Sequence, residues 1–400
     1  MSQTWSLARR YALLDGAGDE SAALVGPVVG RSAIAFSALA LPVGLELRFV
    51  LRRDDLAVIW SGRQLGYQPQ WLDDNHLALA RSRDVAVWSL LKGRVVWKAP
   101  LERTSVWRER IVTSPSKHEV EVRDAATGAV AARLRCGEVD PFEGGWYWCL
   151  DDAMLYAAGE ELGGVSLPAC KALWRTPLTD ALGVPDESPN AFLHVSRAEE
   201  HDAVLVGRGT ALGLLALSSG RFLWTARIAT HPLPLQPLVS SGRVALFANG
   251  RLVLLDESTG EVIVGGDRVT DTARERRPVA HGTSMVAVDE YGHIITIDLR
   301  DGRLLGVQQE KRASFNGCAT VDDRLLVAGF DGALWVYEPS GMPTVALSGP
   351  VARVTPPDAP TKQLPRRQSR VSAGGLPRRA QPTGRRKKSG SPKPSGRRRA

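Results

Sequence analysis

Cysteine is scarce in this sequence and has no functional spacing. The 400 residues contain four, far apart at Cys136, Cys149, Cys170 and Cys318. No CxxC and no adjacent pair occurs, which excludes the usual zinc-finger spacings and a dense disulfide framework. We therefore predict buried thiols in a reducing compartment.

Long apolar runs are also missing. The most apolar segment, residues 32–45, has 14 residues, whereas a helix that crosses a bilayer needs about 20. Residues 1–20 carry charges where a signal peptide has its apolar region. The sequence predicts a soluble, cytoplasmic monomer with no membrane span.

Motifs for common chemistries are absent too. The seven histidines form no HExxH and no close metal-binding pair, and neither GxxxxGK[ST] nor GxSxG occurs. Paired aspartates at 73–74, 151–152 and 322–323 look like catalytic carboxylates. They recur between neighbouring apolar segments, so we interpret them as turn formers. The sequence predicts no catalytic, cofactor-binding or metal-binding residue.

The net charge of +8 conceals two unlike parts. Residues 351–400 carry 15 Lys and Arg and one acid, Asp358, whereas residues 1–350 carry 36 Lys and Arg and 42 Asp and Glu. The chain is therefore a mildly acidic body followed by a strongly basic tail. The two parts need separate explanations.

The tail, residues 348–400, has a composition that cannot bury a core. Residues 351–400 contain eight prolines, five glycines and no aromatic residue, which predicts disorder. Its basic clusters favour salt-sensitive, sequence-independent contacts with the phosphates of DNA or RNA. An anionic membrane surface and an acidic protein are alternative partners. The predicted phosphate contacts are Arg366, Arg367, Arg378, Arg379, Arg385, Arg386, Lys387, Lys388, Lys393, Arg397, Arg398 and Arg399.

The body repeats one unit. The segment RLVLLDESTGEVIV, residues 251–264, has an apolar strand, a turn and a second strand, and similar segments recur along the chain. Their turn positions are 93, 128, 170, 220, 260, 302 and 341, with Cys170 in one glycine place. Two further short strands precede each segment. About four strands in about 40 residues are typical of a propeller blade.

The period predicts an all-β propeller over residues 23–347, preceded by an N-terminal extension at residues 1–22. Seven blades are clear from Tyr67 onward, and an eighth can be drawn over residues 23–61. We favour eight blades over seven. In the seven-blade alternative, residues 1–60 would form a cap or a closing strand. Blades stacked around an axis cover one another, so no single large core is needed.

The repeated unit resembles the A-x-D-x-x-T-G-x-x-x-W repeat of the quinoprotein-like, or pyrroloquinoline-quinone-like, propellers. Asp256, Thr259 and Gly260 match this pattern, and so do Asp124, Thr127 and Gly128. The resemblance implies that the glycine of each repeat allows the turn and that the tryptophan packs between neighbouring blades. The positions that match these two roles are Gly93, Gly128, Gly220, Gly260, Gly302 and Gly341, with Trp97, Trp174 and Trp224.

The resemblance indicates the fold more firmly than the function. Enzymes with this repeat have an adjacent cysteine pair, a tryptophan floor and carboxylates for calcium, whereas the nearest cysteines here are Cys136 and Cys149. Another relative by repeat, the periplasmic lipoprotein of the outer-membrane assembly machine, needs a lipidated cysteine near its N-terminus. The first cysteine here is Cys136, which predicts a different location.

The sequence thus predicts a non-enzymatic scaffold that binds a protein partner and is tethered to nucleic acid by its tail. A quinone-linked or small-molecule enzyme at the channel mouth is one alternative, and a membrane-surface adaptor held by the tail is another. The partner surface is expected at the channel mouth or on the face that connects the blades. The long connections there are residues 136–145, 176–190 and 266–277.

Overall fold

A computed structural model describes most of the chain up to residue 340. The described residues are 5–13, 23–40, 44–65, 67–80, 84–99, 104–107, 109–116, 119–135, 146–150, 152–158, 160–167, 169, 171–183, 193–198, 202–228, 237–248, 251–268, 278–311 and 313–340. The predicted tail and the turn positions 170 and 341 lie outside these residues.

The described residues form eight antiparallel sheets of four strands, which we call blades 1 to 8. In each of the first seven blades, four consecutive strands pair in chain order. Strands β2 to β17, which form blades 1 to 4, are Ala23–Val29, Ala33–Ala40, Gly44–Arg52, Val58–Leu65, Tyr67–Trp71, His76–Ala80, Val85–Ser89, Arg94–Ala99, Thr104–Trp107, Arg110–Ser116, Glu119–Asp124, Val130–Arg135, Trp146–Leu150, Ala153–Ala158, Glu161–Ser166 and Lys171–Pro177.

One short helix, α1 at Leu178–Leu182, follows blade 4. Strands β18 to β32, which form blades 5 to 7 and three strands of blade 8, are Leu193–Arg197, Ala203–Arg208, Ala211–Ala216, Phe222–Arg227, Leu238–Ser240, Arg243–Ala248, Arg251–Asp256, Val262–Arg268, Val279–His281, Ser284–Val288, His293–Asp298, Leu304–Gln309, Phe315–Val321, Arg324–Gly329 and Ala333–Pro339.

The fourth strand of blade 8 comes from the other end of the chain. Strand β1, Trp5–Ala12, pairs antiparallel with β32, so that Trp5 lies opposite Pro339. Residues 5–12 therefore belong to the propeller and not to an N-terminal extension. The sequence period did not reveal this strand, because its partner strand is more than 300 residues away and nothing local marks the pairing.

The blades form a closed ring. First strands of neighbouring blades contact each other along the ring, for example β2 with β6 and β22 with β26. The first strand of blade 8, β30, contacts β2 of blade 1 in the same way. Gly26 and Gly317 face each other where β2 and β30 meet, and a Cβ added to Gly317 would lie 3.3 Å from the Cα of Gly26. The eight-blade prediction is confirmed.

The apolar core is divided into eight layers, one between each pair of neighbouring blades. One layer joins Ile34 and Phe36 of blade 1 to Leu326 and Val336 of blade 8, and the other seven join successive blades in the same way. Second and third strands are buried on both faces, as in β19, where all six residues are buried. Stacking of blades therefore replaces a single large core.

Fourth strands differ from the other strands. In β21 partly buried and exposed residues alternate along the strand, because this strand is the outer edge of its blade and neighbouring outer edges cover it only in part. Continuous burial along the strand therefore holds for the second and third strands. The fourth strands follow the alternating pattern of a half-covered sheet.

Candidate functional site

The turns between third and fourth strands have the local chemistry of a tight turn that ends in glycine. Gly93, Gly128, Gly220, Gly260 and Gly302 all have positive φ angles between 60° and 74°, which L-residues with a side chain adopt at a cost. In blade 6 the amide of Gly260 donates to the carbonyl oxygen of Asp256, at 2.9 Å. These glycines therefore have a structural role, because each allows the backbone conformation that its turn requires.

The aspartates of the repeat cap the same turns. The Oδ1 atom of Asp256 accepts the amides of Ser258 and Thr259, at 3.0 and 3.1 Å. The Ser258 hydroxyl donates to the same atom. This hydrogen bond makes the largest contribution to the lowered pKa of Asp256. Asp124 is held in the same way by Thr127. Both carboxylates therefore accept hydrogen bonds from residues of their own turns.

A β-bulge follows each of these turns in the fourth strand. In blade 5 the register shifts between Leu214 and Leu215, so Leu223 has no partner and Trp224 pairs with Leu214. Equivalent shifts occur in the other seven blades. A bulge sharpens the local twist and redirects the next side chain. We call that next residue the docking residue, because in blades 1, 2, 4, 5 and 6 its side chain contacts a turn of the following blade.

Tryptophan docking residues lie on the turn glycine of the next blade. The Trp224 indole covers Gly260, where an added Cβ would lie 2.5 Å from the ring. Its Nε1 atom donates to the carbonyl oxygen of Glu257 in the same turn, at 2.8 Å. Trp97 docks likewise on Gly128, and Trp174 docks on Gly220. The three predicted tryptophans thus join blades 2 and 3, 4 and 5, and 5 and 6.

One docking residue, Trp60, was missed from the sequence, and another, Val264, stands where the repeat pattern usually has tryptophan. Trp60 of blade 1 donates to the carbonyl oxygen of Gly93, at 3.2 Å, and it stands 37 residues before Trp97, a spacing that could have revealed it. Val264 lies against Gly302, where an added Cβ would be 2.5 Å from a methyl group. Valine therefore keeps the packing contact at this junction and loses the hydrogen bond.

The junction that closes the ring is built from different residues. The turn-glycine place in blade 1 is taken by Leu56, whose φ is 58° and whose amide donates to the carbonyl oxygen of Arg52. The docking place in β1 is taken by Arg9, which follows the bulge at Ala8. The guanidinium of Arg9 lies over the ring of Tyr11. Where the glycine is replaced, the tryptophan is replaced as well.

Two cysteines lie within the described residues, and both are partly buried and free. Burial raises the pKa of the Cys149 thiol to about 11 and that of Cys318 to about 12. Both therefore stay protonated at neutral pH, and protonated thiols react slowly. Cys136 and Cys170 lie outside the described residues.

A groove with a mixed polar and apolar lining lies on one face of the ring. Because strands within a blade run antiparallel, the turns after first and third strands share one face, which we call the turn face. The groove crosses the turn face over blades 1 to 3 and has a volume of about 980 Å³. It is lined by Val29, Gly30, Arg31, Arg53, Trp71, Leu72, Asp73, Asp74, Trp107, Glu109 and Arg110.

Two tryptophans at the ends of first strands give the groove its apolar surface. Trp71 lies on Gly30 of blade 1, where an added Cβ would be 2.9 Å from the ring. Its Nε1 atom donates to the carbonyl oxygen of Val28, at 3.0 Å. The ring is therefore held in place before any ligand arrives. Trp107 is the last residue of β10 and lies in the same groove.

Charged groups of both signs surround these rings, and some are already paired. Arg53 forms an ion pair with Asp322 of blade 8, at 2.8 Å. Asp73 accepts the amides of Asn75 and His76, both at 2.7 Å. Burial alone would raise the pKa of Asp73, but hydrogen bonds from the His76 side chain and these amides lower it. Asp73 is therefore a turn residue, as its sequence context indicated.

Other charged groups of the groove are exposed and have no side-chain partner among the described residues. These are the guanidinium of Arg31 and the carboxylates of Asp74 and Glu109. Arg110 lies opposite Asp124 across β11 and β12, and its charge is one of the causes that lower the pKa of Asp124, after the hydrogen bonds from Thr127. The groove thus presents the carboxylates of Asp74 and Glu109 and the guanidinium groups of Arg31 and Arg110 beside two indole rings.

The three predicted loops are described only in part. Residues 136–145 lie outside the described residues, and so do 184–190 and 269–277. The described part of the second loop contains α1, whose Leu178 and Leu182 are buried in the layer between blades 4 and 5. This segment therefore packs as part of the ring. A smaller cavity of about 420 Å³ lies beside it, next to Gly183 and Thr210.

The described residues offer neither a bilayer-crossing helix nor a metal cluster. No helix among them is long and apolar enough to cross a bilayer. No group of three or more His, Cys, Asp or Glu side chains in that part of the chain is arranged to hold a metal ion. The predicted phosphate-contacting residues of the tail lie outside it.

Eight four-stranded blades in a ring, with docking residues on the turns of the next blade, define a propeller of the pyrroloquinoline-quinone-like repeat type. The family described as Outer membrane protein assembly factor BamB matches residues 116–341, and the chain belongs to this family. No curated protein matches the chain.

Solved structures with this fold are similar over most of the chain. BamB from Moraxella catarrhalis has a TM-score of 0.57 at 12% identity, covering 84% of this chain and 100% of that one. The computationally designed Ika8 protein has a TM-score of 0.57 at 13% identity, covering 80% and 96%. The C-terminal WD40 domain of Sif2 has a TM-score of 0.58 at 10% identity, covering 86% and 99%. Identities this low show a shared fold only.

Proposed function

We propose that the protein is a non-enzymatic scaffold that binds a protein partner on its turn face. This face is opposite to the one that carries the connections between blades, where the sequence alone led us to expect the partner. The observation that supports this most directly is the groove over blades 1 to 3, where Trp71 and Trp107 lie beside unpaired charges of both signs. Aromatic anchors with a polar rim are typical of protein-binding surfaces. A surface with as many acids as bases is a poor match for nucleic acid, whose binding sites are strongly positive. The assembly-factor description of the family agrees with this role.

The second half of the proposal concerns the tail. Residues 351–400 carry 15 basic residues and one acid, and we assign them a tethering role toward the phosphates of nucleic acid. Each phosphate neutralised releases counterions, so the affinity falls steeply as salt rises. Backbone contacts of this kind need no base-specific groups and no stacking aromatics, and the tail has no aromatic residue.

A gel shift tests the tether. The full chain is expected to retain duplex DNA at low salt, and a chain ending at Gly349 is expected to lose that retention. A full-length variant with Arg385, Arg386, Lys387 and Lys388 changed to Gln should bind with a shallower salt dependence, because about four phosphate contacts are removed. Equal retention by all three proteins would contradict the tether.

Two further measurements separate the alternatives. Flotation with anionic vesicles tests a membrane tether, and co-fractionation of the native protein tests the proposed cytoplasmic location. Affinity capture with the full chain, compared with a charge-reversed groove variant such as Asp74→Lys with Glu109→Lys, tests whether a protein partner uses the groove.

A further inference from the structure

The groove on the turn face favours one kind of partner, and this step rests on the proposed scaffold role. Arg53 is neutralised by Asp322, and Asp73 is used by the amides of its own turn. Asp73 keeps its negative charge, because these hydrogen bonds lower its pKa. With Arg53 neutralised, the carboxylates of Asp73, Asp74 and Glu109 stand against the guanidinium groups of Arg31 and Arg110. The net charge of the groove is therefore negative, although its lining holds three acids and three bases.

The floor of the groove also suits a cation. Indole faces attract guanidinium and ammonium groups through the ring quadrupole, and they pack well on proline and on the alkyl stems of Arg and Lys. Trp71 is pre-positioned by Gly30 and by its bond to the carbonyl oxygen of Val28, so little freedom is lost when a ligand covers it. The excess of 42 acids over 36 bases in residues 1–350 attracts a basic ligand from solution as well.

The shape of the groove selects an extended ligand. It crosses the turns of three blades and has a volume of about 980 Å³, at the upper end of what compact small-molecule sites occupy. Its lining comes from successive blades, so a ligand must reach across them. An extended peptide does so while it presents side chains to each turn in sequence.

We propose that the groove binds an extended basic segment of a partner protein. Arginine or lysine side chains of the segment lie over Trp71 and Trp107 and reach the carboxylates of Asp74 and Glu109. Arg31 donates to an acidic group or a backbone carbonyl oxygen at the other end of the segment. The free carboxylates of the groove exclude a nucleic-acid backbone from this surface, because like charges repel across a contact.

The test uses the full chain and a short labelled peptide of alternating arginine and proline, with an alternating glutamate and proline peptide as the matched probe. Fluorescence anisotropy at low and moderate salt should show binding of the arginine peptide only. The variant Asp74→Asn with Glu109→Gln should bind about tenfold more weakly, the size expected for two partly exposed charge contacts. Because both side chains are exposed, the variant should fold normally, which its thermal unfolding checks.

A control variant, Asp202→Asn with Glu261→Gln, removes two exposed carboxylates from the turn face of blades 5 and 6. It should bind the arginine peptide as tightly as the unaltered chain. An equal loss of peptide affinity in both variants would show that the peptide responds to the overall negative charge of the protein and not to the groove. That result would overturn the inference. Preferential binding of the glutamate peptide would overturn it too.

The same variants separate this inference from the scaffold proposal. A captured protein partner that survives Asp74→Asn with Glu109→Gln would remove the groove assignment and leave the scaffold role standing. Failure of the full chain to capture any protein, together with normal binding of the arginine peptide, would count against the scaffold role and not against the groove.

Discussion

The indole of Trp224 in blade 5 lies against Gly260 in blade 6 and donates its N–H to the carbonyl oxygen of Glu257, at 2.8 Å. Trp224 thus stabilises the outer end of the junction between blades 5 and 6 through both packing and a hydrogen bond. The contact requires glycine on one side and a bulge at Leu223 on the other. A change on either side should therefore weaken the junction.

Gly260→Ala should destabilise the protein for two reasons. The φ of Gly260 is 71°, which costs an alanine about 1 kcal/mol, and the new methyl group would meet the Trp224 ring, which adds about 1–3 kcal/mol of overpacking. Urea unfolding should show both costs.

The matched control is Gly282→Ala. Gly282 also has a positive φ, 57°, but nothing lies within 4 Å of an added Cβ. This variant should lose only the conformational part, about 1 kcal/mol. Equal losses in the two variants would mean that the tryptophan contact costs nothing to disturb.

Leu56→Gly tests a turn in which strain and burial oppose each other. Leu56 has a φ of 58°, and replacement by glycine relieves this strain, which should stabilise the protein by about 1 kcal/mol. The same replacement removes a side chain that is 1% exposed, which should destabilise the protein by about 2–5 kcal/mol. Burial should win, so the free energy of unfolding should fall by about 1–4 kcal/mol.

Ser241→Gly separates these two contributions. Ser241 has a φ of 55° and is exposed, so strain is relieved without the loss of a buried side chain. This variant should be neutral or more stable by up to about 1 kcal/mol. A stability gain in Leu56→Gly of the same size would refute the role of the buried leucine in closing the ring.

Trp5→Ala should weaken ring closure strongly. Trp5 is 3% exposed, packs edge-on against His281 at 4.9 Å, and donates to the hydroxyl of Thr296, at 3.0 Å. Both partners belong to blade 7, so the residue fastens β1 to blade 7 as well as to blade 8. Loss of a buried tryptophan costs about 3–5 kcal/mol.

Leu7→Ala on the same strand is the comparison for Trp5→Ala. Leu7 is 43% exposed, and its replacement should cost less than about 1 kcal/mol. Limited proteolysis should cut the Trp5→Ala protein within β1 faster than the Leu7→Ala protein. Identical cleavage rates would show that β1 is held only by its pairing with β32.

Acid stability should depend on Asp298. The Arg300 side chain, with the Arg300 amide, lowers the pKa of Asp298 to about 2. A carboxylate with a depressed pKa stabilises the fold above its unfolded pKa, and this contribution is lost as the pH falls toward the folded value. From about pH 4, the pKa of an unfolded aspartate, down to about pH 2, the unaltered protein should lose stability more steeply than Asp298→Asn.

Asp301→Asn is the control for this titration. Asp301 is exposed in the same turn and accepts the amide of Arg303, at 3.0 Å. Its replacement removes one exposed carboxylate of the same turn and keeps the Asp298–Arg300 pair, so this variant is the reference for Asp298→Asn. The slope is measured by urea unfolding at a series of pH values, and a flattening in Asp301→Asn equal to that in Asp298→Asn would locate the effect in general charge.

The blade count was predictable because each blade is encoded within about 40 residues. Turn chemistry is local, since Asp256 and Thr259 bond to their own turn and Gly260 needs only its own φ. The docking tryptophans could be found by their spacing from the glycine. Their partners could not be read from the spacing, because the glycine that Trp224 covers belongs to the next blade.

The sequence by itself determined the repeat, the apolar strands and the division of charge between body and tail, because these depend on neighbouring residues and on composition. Only the tertiary structure decided that β1 completes blade 8 and that Arg9 and Leu56 replace the usual pair of residues at the closing junction. It also brought Arg31, Trp71 and Glu109 together in one groove. Those relationships join residues far apart in the chain, and only closure of the ring places them side by side.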